Sequence, residues 1–220
     1  MRAAIGDLSD NAATLAVANL AWAAVLFVAA SLVARHPLGF FGLALLILPS
    51  AGLMRMSVNV VRADRCRLGD FLDGMLRDTG RTLGIGVVQL LLAALAGADV
   101  LLGLGLGGLP GIVLLIGGGY ILVAIWIYAC AAWPLLLDPL RAGDSLGSRL
   151  RLAGIIVLAR PISAIAMAAI LIALLVAGTL LLIPIIAFTA ALTALLAAHW
   201  TLPTADHLEG RRTSERELEP

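Results

Sequence analysis

Long apolar runs alternate with short polar stretches along the whole chain. Residues 12–34, 38–61, 82–104, 111–136 and 161–205 are almost wholly apolar. A helix that crosses a bilayer needs roughly 20 such residues at about 1.5 Å rise each. Each of the first four runs therefore supplies one span. The fifth, at 45 residues, is too long for one helix, and Pro184 is the natural place for a tight turn between a fifth and a sixth span. Arg35-His36-Pro37 separates the first two spans, with Pro37 suited to the first turn of the second. The uncharged segment GLGLGGLPG, residues 103–111, separates the third from the fourth.

The polar stretches have patterns of their own. In 62–81, Leu68, Phe71, Leu72, Met75 and Leu76 recur at helical spacing, and Asp70, Asp73, Arg77 and Asp78 fill the opposite side. This predicts an amphipathic helix that lies on the membrane surface or docks a partner. A second connector, 138–160, has Asp144-Ser145 as a helix cap and Leu146, Leu150 and Ala153 on one side. The two connectors echo each other. Arg62-Ala63-Asp64 with Leu68-Gly69 parallels Arg141-Ala142-Gly143 with Leu146-Gly147, and Arg81 and Arg160 close the segments at an offset of 78–79 residues. Three repeated hairpins are the reading that follows.

Composition agrees with a membrane protein. The chain is 61% hydrophobic and 13% charged, with mean hydropathy +1.05, whereas a soluble domain is nearer half apolar and a quarter charged. Net charge of +1 and 5% aromatic residues give no footprint for nucleic acid. Arginines fix an orientation. Arg2, five arginines in 62–81, four in 141–160 and three in the tail fall on one side of a six-span arrangement, which the positive-inside rule makes cytoplasmic. The expected fold is thus all-α: a polytopic helical bundle of six spans, built as three hairpins joined by cytoplasmic amphipathic connectors, with both termini cytoplasmic. Residues 1–205 form a single transmembrane domain and 206–220 a polar, loosely ordered tail. In the lead, Ser9 or Asp10 is the expected cap of the first helix. Its one arginine against Asp7 and Asp10, before an apolar run longer than ~7–15 residues, is a poor match to a cleaved signal.

Polar residues inside a bilayer are candidates for function because they are costly there. Asn19, Arg55, Gln89 and His199 all lie within roughly 10 Å of the cytoplasmic boundary at ~1.5 Å per residue. They are the candidate lining of a polar pocket open to the cytoplasm. Each also fits a structural role, which shallow depth favours. Arg55 can snorkel, Asn19 and Gln89 can bond between helices, and His199-Trp200 can anchor at the interface, as can Trp22 and Trp133 in part. Asp99 lies near the outer interface without a charged partner at its depth. Cys66 and Cys130 are too far apart in sequence and setting for a disulfide framework or metal site. The glycines of 103–111 lack the Lys-Ser/Thr of a phosphate loop, and Gly117-Gly118-Gly119 suits close helix approach. No catalytic, cofactor or metal constellation is visible.

Asn19-Leu20-Ala21-Trp22 in the first span, Leu48-Pro49-Ser50-Ala51-Gly52 in the second, and a basic stretch leading into Gly69-Asp70-Phe71 resemble the YesL-like family of bacterial integral membrane proteins. The resemblance spans roughly residues 15–212. Ser50 stands where the family pattern has Thr, and FLDGML is less aromatic than the family's connector. The resemblance implies a multi-pass protein of the bacterial inner membrane, with no established activity, whose relatives accompany carbohydrate uptake systems. The expected role is accessory to a transport system or in assembly, without enzymatic activity or cofactor. The expected partners are the lipid bilayer and either transport subunits or further copies of the chain. A small-solute transporter or channel is the rival reading, and a lipid-handling role is a third.

Overall fold

The computed structural model describes residues 6–7, 9–77, 79–181 and 188–210. Among these residues there are helices and no strands. Helix α1 (Ala12–Arg35) opens after Asn11, which makes no side-chain cap. The expected cap Ser9 instead donates its hydroxyl to the Gly6 carbonyl. A 3₁₀ helix (Pro37–Leu46) leads into α2 (Ile47–Ala63). Asp64, in the left-handed region at φ +57°, stops α2, and α3 (Leu68–Leu76) begins where the Asp70 carboxylate accepts the Arg67 N–H at 2.7 Å.

The connector read as one stretch, 62–81, is therefore divided. Arg62 belongs to the last turn of α2, and Arg81 to α4 (Thr79–Leu106). The turn expected over 103–111 is also shorter. Helix α4 and α5 (Gly108–Leu136) continue through it and leave Gly107 alone between them. Gly107 and Gly108 both have φ +63°, a conformation that favours glycine. A second 3₁₀ turn (Pro139–Arg141) leads to α6 (Leu146–Ala159), where the Ser145 hydroxyl accepts the Ser148 N–H as the sequence predicts. Helix α7 (Pro161–Leu181) leaves α6 at a bend of 100°, and α8 (Ala190–Leu208) is the last helix described. The predicted turn at Pro184 and most of the tail lie outside the described residues.

Among the described residues four helical stretches are long and apolar enough to cross a membrane: Ala12–Arg35, Phe41–Ala63, Thr79–Leu106 and Gly108–Leu136. The bent α6–α7 pair makes a fifth if it counts as one span. Leu95, Leu101, Leu104, Leu109, Val113 and Tyr120 on α4 and α5 are exposed, a surface that only lipid or another apolar partner can cover. Burial divides the helices into two sets. Helices α2 and α8 carry most of the buried residues, and α5 joins them over its last two turns from Cys130. Helices α1 and α4 each bury only a few. Val58, Leu135, Leu152, Ile156 and Leu202 form one packed cluster, and Leu15, Leu53, Met56, Phe71, Leu171 and Leu195 another.

Small residues set how closely the helices approach. A methyl on Gly74 of α3 would lie 2.6 Å from Arg55 Cβ and 2.9 Å from the Ala51 carbonyl on α2. One on Gly52 would lie 2.7 Å from Phe71 Cδ2. Helix α3 is thus seated backbone-close on α2. Between α4 and α5, Gly103 meets the Gly111 carbonyl and Gly118 the Ala96 carbonyl, each at 2.6 Å from a would-be methyl, whereas Gly117 and Gly119 face open space. Of the three consecutive glycines, only the middle one serves the contact. Gly74→Val is expected to cost about 1–3 kcal/mol through overpacking, read as a lower unfolding temperature in detergent and faster proteolysis between 64 and 78. Gly69→Ala, in open space, should change neither.

Candidate functional site

Helix α5 ends inside the protein, so its last carbonyls need partners that water cannot supply. Arginines from two other helices provide them. Arg55 of α2 donates Nη1–H to the Leu137 carbonyl at 2.6 Å, and Arg149 of α6 donates to the Leu136 carbonyl at 2.8 Å and the Asp144 carbonyl at 3.1 Å. A guanidinium at a helix C-terminus also meets the favourable end of the helix dipole. Arg55 is further held by the Asp73 carboxylate of α3 at 3.0 Å. The lone arginine within the second apolar run is therefore a clamp joining α2, α3 and the end of α5.

Beside it lies a larger node. Arg62 at the end of α2 binds Asp138 after α5 and Asp206 on α8. Arg141, 1% exposed, reaches Asp138 at 3.4 Å, Asp206 at 3.2 Å and Glu209 at 2.8 Å. Asp138 also accepts the Leu140 N–H at 3.1 Å and so caps the 3₁₀ turn. The ends of α2, α5 and α8 meet in this one cluster. Burial alone would raise the Asp206 carboxyl, but its bonds to Arg62 and Arg141 outweigh that and hold it below the usual carboxylate range. Its contribution to stability is present above that range and is lost as pH falls through the lowered native value.

The four candidate pocket residues are each engaged separately. Asn19, fully buried, accepts the Ala191 N–H of α8 at 3.0 Å. Gln89 accepts the Trp133 indole N–H at 2.9 Å, and His199 pairs with Asp7 at 2.8 Å. Arg55 lines a small cavity of about 100 Å³ with Asp73, Arg77, Asp138 and Arg149, but none of the other three candidates lines it. The five-residue stripe of α3 also splits. Phe71 is buried and Met75 packs against the same core, while Leu68, Leu72 and Leu76 are 46%, 54% and 68% exposed.

Arg62, Arg141, Arg149, Asp206 and Glu209 lie outside the site residues expected from the sequence. The available signal was the echo between connectors, because its matched arginines, Arg62 and Arg141, meet on the same two carboxylates. Asn11 was missed as well: its Oδ1 accepts the Cys66 N–H at 3.0 Å and ties the start of α1 to the turn before α3. Among the described residues no group of three His, Cys, Asp or Glu could hold a metal. Every carboxylate of the node is held by arginine, so the cluster offers structural cohesion and no ready general base. Comparisons with protein-family models, curated proteins and solved structures find no match to this chain.

Two measurements follow. Arg141→Met should lower stability by about 3–5 kcal/mol, because it leaves buried carboxylates uncompensated. Arg77→Gln, which loses only a 3.7 Å surface pair, should cost less than about 1 kcal/mol; denaturant titrations in one detergent compare the two. Burial, aided by the charge of Asp70, pushes the Cys66 thiol up to about 11. Cys66 should therefore react with maleimide at neutral pH far more slowly in the folded protein than after unfolding, as mass spectrometry would record.

Proposed function

We propose that this chain is a six-span protein of the bacterial inner membrane that works through partner proteins, as an accessory to a transport system or as an assembly factor. Its connectors and both termini lie in the cytoplasm on this reading, as arginine placement favours. The observation that carries the proposal is the exposed edge of α3. Leu68, Leu72 and Leu76 stand outward from a short helix whose other side is fixed on α2. A rigidly seated apolar edge outside the spans suits a partner at the membrane surface. The motif resemblance to YesL-like proteins points the partner toward carbohydrate uptake systems.

Further support comes from how the polar groups are used. Asn19, Gln89 and His199 are occupied in contacts within the protein, which leaves them little to offer a passing solute. Six spans remain compatible with α8 as the inner end of the last crossing, since its apolar run begins before the described part.

The test is purification from the native membrane in mild detergent. A transport subunit should co-purify with the wild-type protein and fall at least about tenfold with Leu72→Glu/Leu76→Glu, an interface loss of ~1.4 kcal/mol or more. Solute flux in proteoliposomes holding this protein alone would overturn the proposal in favour of a transporter.

A further inference from the structure

Between α2, α4, α5 and α7 lies a cavity of about 660 Å³. Ile47, Gly86, Leu90, Ala93, Trp126 and Trp133 are among its lining residues. A second cavity of about 280 Å³ shares Ser50, Trp126 and Trp133 with it and continues toward α1 and α8. The volumes are those of ligand sites. The polar groups in the walls are largely spent within the protein. Trp22 donates to Ser50 at 2.9 Å, Trp133 to Gln89 at 2.9 Å, and Trp126 to the Ala168 carbonyl at 3.3 Å. A sugar or an ion would leave its own polar groups unpaired here, which is costly away from water. A hydrocarbon chain would not.

The cavity has a charged neighbour. On α2, Ser50 lines the cavity and Arg55 the small polar pocket; at the end of α5, Trp133 lines the cavity and Leu137, just after the helix, the pocket. Those steps are about 6–8 Å along a helix at ~1.5 Å per residue, close to the ~5–8 Å depth of one headgroup layer. Arg77 lines the pocket from just before α4, whose Gly86 lines the cavity farther along the same helix. Three guanidiniums (Arg55, Arg77 and Arg149) and two carboxylates (Asp73 and Asp138) line the pocket. Asp138 is already bound by Arg62 and Arg141, and Asp73 by Arg55. Arg77 is two-thirds exposed and only 3.7 Å from Asp73. Over the described residues of 62–81 and 138–160, six arginines are exposed, against one carboxylate, that of Asp64.

We propose that the protein holds one anionic phospholipid, with an acyl chain in the tryptophan-lined cavity and its phosphate at Arg55 and Arg77. The site goes beyond partner docking and stands on different residues from the α3 leucine edge. The tryptophans make it testable directly. The protein is placed in nanodiscs containing phosphatidylglycerol or phosphatidylcholine brominated in the acyl chains, and tryptophan quenching is measured at matched mole fractions. Brominated phosphatidylglycerol should quench more strongly; equal quenching by the two lipids overturns the proposal. Ala93→Phe, which puts a ring into the cavity from α4, should reduce the difference, and an undiminished difference would place the lipid elsewhere and overturn the proposal. Arg77→Gln should lower the apparent preference about fivefold, the ~1 kcal/mol of one arginine beside an anionic surface; no change overturns the headgroup placement. Because Arg77 is exposed, that variant keeps the test standing if Ala93→Phe does not fold. Inorganic phosphate should leave the preference intact, and its abolition would assign the pocket to a soluble anion instead.

Discussion

A helix that ends inside a protein must find donors for its last carbonyls, and here arginines supply them. The Leu136 and Leu137 carbonyls of α5 are taken by Arg149 and Arg55, while Arg62 and Arg141 draw Asp138 and Asp206 together beside them. Guanidinium suits this work because one planar group can serve several acceptors and remains charged when partly buried. These bonds join the same ends of α2, α5 and α8 that the packing of Val58, Leu135 and Leu202 holds.

From that end the bundle loosens. Near the connectors, inner helices touch through buried Ala, Leu and Val, and α3 lies close on α2 through Gly52 and Gly74. Farther along α4 and α5, contact narrows to a glycine seam at Gly103, Gly111 and Gly118, and most leucines face outward. Where lipid is the alternative neighbour, apolar side chains gain little by turning inward, so close backbone approach between small residues holds the pair.

The sequence made the four long apolar helices, the helix within the first connector and the Ser145 cap legible, because run length, helical spacing and cap chemistry are local. It made the polar residues near the connectors visible but not their partners. Arg55 stood out as an arginine in an apolar run, yet nothing nearby in sequence says that it reaches Leu137. Asp206 looked like the first residue of a solvated tail, and it is buried because two arginines from distant connectors arrive at it. The five apolar residues of 68–76 read as one stripe. Only tertiary packing decides that Phe71 and Met75 turn toward α2 while Leu68, Leu72 and Leu76 do not. Helix ends differ from the expected ones where the helices continue through glycines, as at residues 103–111.

The distance along the chain between the members of the node sets an order of events. Arg62 and Asp206 are 144 residues apart, so their contact cannot form until α8 has been synthesised. Until then Arg62 and Arg141 have Asp138 alone of the node's three main carboxylates, and the node carries surplus positive charge. Arrival of α8 brings Asp206 and Glu209 and neutralises it. The same arginines are thus short of carboxylates until α8 is made and are then covered by it, which makes that helix the keystone of assembly.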